Sequence, residues 1–321
     1  MRHFFLLFCL SFLVNAVFAQ ANADSLFSSS EMTLKTPNGE IFGTLTVPTV
    51  NTPVPLVLII AGSGPTDRDC NSSMGITTNA YRMLAEGLAK NGIACLRFDK
   101  RGIGQSKAAM TSELDLRFET YVNDVVAWIA VLKADKRFSE IDVLGHSEGS
   151  LIGMLAASQA SVAKFISAAG AGKPADQILR DQLKTKLPPS LLAESNKILD
   201  SLKLGKTVSN VDANLKTLYR PNVQPYMISW MKYDPAREIS LLKMPVLILQ
   251  GTTDMQVSVE DARLLAAAKP DARLLIIDNM NHVFKESDSD FQKNMATYKN
   301  PALALKTGLL QEILSFIRTG K

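Results

Sequence analysis

Six short, almost uninterrupted apolar runs punctuate the chain: residues 56–61 (LVLIIA), 93–98 (IACLRF), 141–144 (IDVL), 165–169 (FISAA), 246–250 (VLILQ) and 274–278 (LLIID). Runs this short and without polar alternation predict strands buried on both faces, as in a parallel sheet covered by helices. Helical patterns fill the intervals at residues 78–90, 118–133, 148–158 and 259–268, with a last one near 302–318. In the first, Leu84, Ala85 and Leu88 share one face, and Asn91-Gly92 supplies a stop. Ahead of these units, residues 31–47 (EMTLKTPNGEIFGTLTV) hold two β-like runs joined at Asn38-Gly39, which predicts an antiparallel hairpin.

One segment interrupts the alternation. Between residues 172 and 234 there are helix-like pieces but no strand-like run, so residues 173–234 read as an inserted helical cap. Residues 190–204 place Leu191, Leu192, Ile198, Leu199 and Leu202 along one helical face, ended by Gly205. Further on, Tyr226, Met227, Trp230 and Met231 recur at helical spacing, a stripe that fits either an acyl pocket or helix-to-core packing. The core is then two pieces, residues 20–172 with the hairpin and residues 235–321.

Chemistry concentrates where the predicted strand at 141–144 meets the following helix, in Gly145-His146-Ser147-Glu148-Gly149. A turn tight enough to present a serine between strand and helix strains that residue and demands small neighbours two before and two after it. Gly145 and Gly149 meet the demand. Gly104-Gln105-Ser106-Lys107-Ala108 nearly matches the same pattern, but it follows a loop and opens no amphipathic helix.

A serine hydroxyl needs a base within hydrogen-bond reach. His146 is adjacent to Ser147, and neighbouring side chains diverge on such a turn. His282, in a loop after the strand at 274–278, is the remaining candidate. Asp254, just after VLILQ, is the favoured orienting acid; Asp278 is only four residues from His282, and Asp176 and Glu260 are weaker alternatives. Acyl transfer also needs two donors for the developing oxyanion. The backbone N–H of Glu148, at a helix start, and that of Ser63, in the Ala61-Gly62-Ser63-Gly64-Pro65 loop, are the candidates.

Ser147, Asp254 and His282 in that order, the Ala-Gly-Ser-Gly-Pro loop and Phe98-Asp99-Lys100-Arg101-Gly102-Ile103-Gly104-Gln105-Ser106 together resemble the α/β-hydrolase superfamily. The stretch Gly62-Ser63-Gly64-Pro65-Thr66-Asp67-Arg68-Asp69 further resembles a loop of bacterial carboxylesterases related to the serine aminopeptidase-like branch. The resemblance spans residues 31–318 outside the cap. It implies a mostly parallel eight-stranded sheet with helices on both faces, the cap inserted after the sixth strand, and ester hydrolysis without cofactor or metal. Ala61 departs from the histidine that many members carry before the first glycine. Asp67 and Arg68 read either as shaping the pocket entrance or, in preference, as a structural ion pair, and in such folds Asp99 and Arg101 brace loops.

Composition narrows the alternatives. Of 321 residues, 35 are Lys or Arg and 31 Asp or Glu, a net charge of +4 with no basic run longer than two residues, which argues against nucleic acid as a partner. Three histidines and three cysteines leave almost no material for a zinc site. Residues 1–19 (MRHFFLLFCLSFLVNAVFA) have the basic start, apolar run and small-residue cleavage site of an export signal. Cleavage after Ala19 removes one basic residue, Arg2, and leaves no membrane anchor, so a periplasmic or secreted protein is expected. Cys95 sits inside an apolar run, as a buried free thiol does, though pairing with Cys70 is open to an exported chain. The cap holds 10 basic and 6 acidic residues, so the positive excess lies there. A peptidase that captures a free α-amino group would need acidic side chains instead, and a carboxylic ester is the expected small-molecule substrate. Amide cleavage, thioester cleavage or acyl transfer at the same serine, and non-catalytic binding on the same fold, are the competing readings.

Overall fold

The computed structural model describes residues 26–321. The segment read as an export signal lies outside them, and among the described residues no helix is long and apolar enough to cross a membrane.

The hairpin forms as β1 (Phe27–Thr36) and β2 (Gly39–Pro48), antiparallel with Thr36 opposite Gly39. Its connection is Pro37-Asn38, and Gly39 opens the second strand. There φ is +129°, and the backbone lies against Ala109, so only glycine fits. Next come β3 (Val54–Ile60), α1 (Ala80–Lys90), β4 (Ala94–Phe98), α2 (Phe118–Ala134), β5 (Phe138–His146), α3 (Glu148–Gln159) and β6 (Phe165–Ala168). The eight-stranded sheet has the order β1-β2-β4-β3-β5-β6-β7-β8, closed by β7 (Val246–Gly251) and β8 (Arg273–Ile277). It is antiparallel at β1-β2 and β2-β4 and parallel everywhere else. Each of the six apolar runs coincides with one of the parallel strands; burial on both faces is why five of them lack polar alternation, whereas the edge strand β8 is only half-buried, with Leu274 exposed.

Between β6 and β7 the chain is helical: α4 (Ala175–Lys184), α5 (Pro189–Lys203), α6 (Lys216–Tyr219), α7 (Gln224–Trp230) and α8 (Pro235–Ser240). After β7 follow α9 (Val259–Ala268), α10 (Phe291–Thr297) and α11 (Leu309–Thr319). The last helix is shorter than its apolar pattern predicts because Gly308, at φ +88°, begins it, and residues 300–308 turn instead.

Two cores cover the sheet. One joins Phe118, Val125, Trp128 and Ile129 of α2 with Ile152 and Leu155 of α3 and Leu265 of α9. The other joins Tyr81, Leu84 and Leu88 of α1 with Ile313 and Phe316 of α11. A third cluster belongs to the cap alone: Leu183, Ile198, Leu199, Leu202, Leu215, Tyr219, Met227 and Met231. Cys70 and Cys95 are buried free thiols. Burial pushes the Cys70 thiol up to about 11 and the Cys95 thiol up to about 12, so both stay protonated.

Candidate active site

Ser147 is the single residue between β5 and α3, with φ 55° and ψ −122°, a backbone region that costs a non-glycine residue energy. The surroundings enforce it. A Cβ on Gly145 would collide with the Gly149 carbonyl oxygen, and one on Gly149 with the carbonyl oxygen of Ile60 in β3. The two glycines therefore let helix α3 start directly against the sheet. Ser147 N–H is anchored on Ala168 O at 3.0 Å, whereas its half-buried hydroxyl has no hydrogen-bond partner among the described residues.

Asp254 and His282 lie on loops after β7 and β8, and backbone contacts lock those loops together. Thr253 N–H donates to Met280 O at 3.2 Å, and a Cβ on Gly251 would strike that same oxygen. His282 Nδ1 meets Asp254 Oδ2 at 2.7 Å, with side-chain exposures of 6% and 1%. The other carboxylate oxygen accepts from Gln256 N–H at 2.8 Å and Val257 N–H at 3.0 Å, while Gln250 Nε2 donates to Oδ2 at 3.1 Å. Burial alone would raise the Asp254 carboxyl. The His282 ring and the two backbone N–H groups outweigh it and hold Asp254 below its ordinary value. An ionised Asp254 fixes the proton of His282 on Nδ1 and leaves Nε2 as the basic nitrogen. Ser147 and His282 line one cavity of about 80 Å³ together with Gly62, Ser63, Thr66, Tyr81 and Tyr298.

His146 points elsewhere. Its Nε2 lies 2.9 Å from the His282 carbonyl oxygen, which only accepts, so Nε2 carries the proton. Burial drives its pKa down to about 3, so the ring is neutral and Nδ1 accepts from Tyr81 O–H at 2.6 Å. Tyr81 in turn accepts from Gly62 N–H at 3.4 Å. His146 is thus a neutral brace between the glycine loop and the His282 loop.

The Gly62-Ser63 segment lies beside the serine: a Cβ on Gly62 would sit 3.1 Å from Ser147 Cβ. Neither Ser63 N–H nor Glu148 N–H has a partner among the described residues, and both flank Ser147. Two open donors next to a hydroxyl and an oriented imidazole are what acyl transfer through a tetrahedral oxyanion requires.

Other expected positions lie outside the cavity at Ser147. Arg68 pairs with Asp99 at 2.7 Å and not with Asp67, whose carboxylate instead accepts from the N–H groups of Asp69 and Asn71. Arg101 pairs with buried Asp124 at 2.6 Å, a structural brace. Of the cap stripe, Met227 and Met231 belong to the cap's own core, and Trp230 stacks on Phe118 with ring centroids 6.0 Å apart. Tyr226 O–H donates to Glu148 Oε1 at 2.7 Å. None of the four lines the cavity at Ser147. Asp176 binds Lys203, at 2.9 Å, and Glu260 pairs with Arg263, so neither approaches His282. Lys100, to which the sequence pattern assigns no role, is buried beneath the glycine loop; its signal is a charged residue inside the Asp99-Lys100-Arg101 triplet directly after a fully buried strand.

Strand order, the turn at Ser147 and the placement of Asp254 and His282 on loops at the same sheet edge define an α/β-hydrolase. The model of the serine aminopeptidase, S33 family matches residues 72–288, more than half of the chain, and the protein belongs to that family. Esterase EstD from Thermotoga maritima is 26% identical over 254 residues, covering 75% of this chain and 57% of that protein. The chain therefore spans little more than half the length of that relative. Among solved structures, Est1E from Butyrivibrio proteoclasticus with bound ferulic acid superposes with a TM-score of 0.60 at 18% identity, covering 89% of this chain and 99% of that one. A thermophilic esterase from Thermogutta terrifontis, with malate bound, gives 0.53 at 15% identity, covering 91% and 99%. At these identities the structural likeness shows the fold.

Proposed function

We propose that the protein is an exported serine carboxylesterase acting on short to medium acyl esters. The observation that carries this reading is Ser147 on its strained turn in one cavity with His282, whose Nδ1 is held by Asp254 at 2.7 Å. Ser147 Oγ attacks the ester carbonyl as its proton passes to His282 Nε2. The tetrahedral oxyanion takes hydrogen bonds from Ser63 N–H and Glu148 N–H, and collapses with proton return to the leaving alcohol. Water, deprotonated by the same nitrogen, then cleaves the acyl-enzyme and regenerates Ser147.

The cavity favours small acyl groups: about 80 Å³ holds a handful of heavy atoms, at roughly 10–15 Å³ for each water-sized group. It also favours esters over peptides with a free amino terminus, because no Asp or Glu is among its lining residues to receive an ammonium group. The naming of the EstD relative as an esterase supports the same choice. Hydrolysis of chromogenic esters of graded acyl length should be fastest for short chains and should exceed cleavage of aminoacyl amides. Faster amide cleavage would replace the esterase reading with the peptidase one. Export is tested by N-terminal sequencing of the protein from the periplasm or medium, where a mature start at Gln20 is expected and an intact Met1 would refute it.

A further inference from the structure

We propose that Lys100 is a positioning residue for the oxyanion site, fixing the Gly62–Ser63 peptide so that its N–H faces the reacting carbonyl. The inference deepens the proposed esterase function and rests on it. Lys100 follows β4, and its side chain is only 2% exposed beneath the glycine loop. Its Nζ donates to Gly62 O at 2.7 Å and to Glu148 Oε2 at 2.8 Å, and lies 4.9 Å from the centre of the Tyr121 ring. Glu148 Oε1 accepts from Tyr226 O–H of the cap helix α7 at 2.7 Å. Burial, with the Glu148 charge beside it, holds the Tyr226 phenol well above its ordinary value, so it remains a donor.

One planar unit links the clamp to the donor. The Gly62 carbonyl and the Ser63 N–H belong to the same peptide, which is trans because the described residues contain no cis bond. In a trans peptide the C=O and N–H point in opposite directions. An ammonium group clamped on the carbonyl therefore aims the N–H away from itself. A flip of this glycine-flanked peptide would instead offer a carbonyl oxygen to a developing negative charge. The clamp acts electrically as well, since a cation on the carbonyl polarises the amide and strengthens its N–H as a donor.

The same ion pair reaches the second donor. Glu148 contributes its backbone N–H, while its carboxylate neutralises Lys100, so one buried pair ties both donors together. Tyr226 extends the tie into the cap. A buried pair of this kind costs desolvation and is a weak source of stability, which gives it little purpose other than geometry.

The test compares wild type, Lys100→Met with Glu148→Gln, which removes both charges together, and Tyr226→Phe, which leaves the ion pair intact. Active sites are counted by titration with a fluorophosphonate, and kcat, KM and inhibition by an alkyl boronic acid are measured per active site. Removing one oxyanion donor costs about 10²–10³ in kcat. Misaiming one is expected to lower kcat about 10–100-fold in the double variant, with KM within about twofold and boronate affinity weakened in parallel. Tyr226→Phe is expected to lose about 3–10-fold in the same pattern. Unchanged kcat per titrated site in Tyr226→Phe and, where it folds, in the double variant would overturn the proposal, because a purely structural clamp changes the number of sites and not their rate. Absence of ester turnover in wild type would instead overturn the esterase reading, and this inference with it.

Discussion

Residues 145–149 (GHSEG) and 104–108 (GQSKA) each place a serine two positions after a glycine near the carboxyl edge of a buried strand. At Ser106 the chain forms a short 3₁₀ turn, Gly104–Ala109, and the hydroxyl is fully buried, accepting from Phe42 N–H at 2.9 Å. At Ser147 the chain turns through φ 55° between strand and helix, and the hydroxyl is left open to a cavity. The neighbours differ in kind as well. Gln105 reaches out to Arg68, while His146 is sealed under the site as a neutral brace. Lys107 is exposed, while Glu148 is buried on Lys100. A serine is made available when both its hydroxyl and the adjacent N–H groups are left unsatisfied by the fold, at the expense of strain and close packing held elsewhere.

The largest expected contrast is between Ser147→Ala and Ser106→Ala: the first should lower kcat/KM by about 10⁴-fold or more, and the second should leave it within about twofold. Similar losses from the two would erase the distinction. Next, Asp254→Asn should cost about 10³–10⁴-fold in kcat, since an amide cannot hold the His282 proton on Nδ1 as a carboxylate does. A loss below about tenfold would remove Asp254 from its proposed role.

Gly149→Ala probes the packing that makes the turn. Its methyl group meets the Ile60 carbonyl, so chemical denaturation should show a loss of about 3 kcal/mol or more, or no folded protein.

A smaller effect concerns His146, whose pKa of about 3 lies far below the unfolded value near 6.5. The unfolded chain binds a proton at this residue that the folded one refuses. Stability is therefore complete above about pH 6.5 and falls as pH drops toward 3, by about 1.4 kcal/mol per pH unit from this group. His146→Gln should flatten that slope by about one proton, and an unchanged slope would contradict the buried neutral ring. The smallest effect is on stability in Ser106→Ala, about 1–2 kcal/mol, from the unpaired Phe42 N–H.

The parallel strands were legible because burial on both faces leaves mostly apolar residues in all but the edge strand β8, and Ser147 was legible because a strained turn needs glycines on both sides. His282 could be approached by elimination among few histidines. The cap stripe was ambiguous in principle: Met227, Trp230 and Met231 obey helical spacing whether they face a substrate or a neighbouring helix, and the structure packs them into protein. Arg68 pairs across 31 residues with Asp99, beyond any local pattern. Lys100 stayed hidden for the same reason, since its two partners lie 38 and 48 residues away and meet only when three strand ends come together.

The proposed mechanism makes Ser147, and not its near twin Ser106, the nucleophile. Incubation of wild-type protein with an activated alkyl phosphonate, followed by peptide mass spectrometry, distinguishes the two serines. One adduct per chain is expected, on Ser147, formed in step with loss of ester turnover and absent from Ser147→Ala. Modification of Ser106, or full inactivation with Ser147 unmodified, would contradict it.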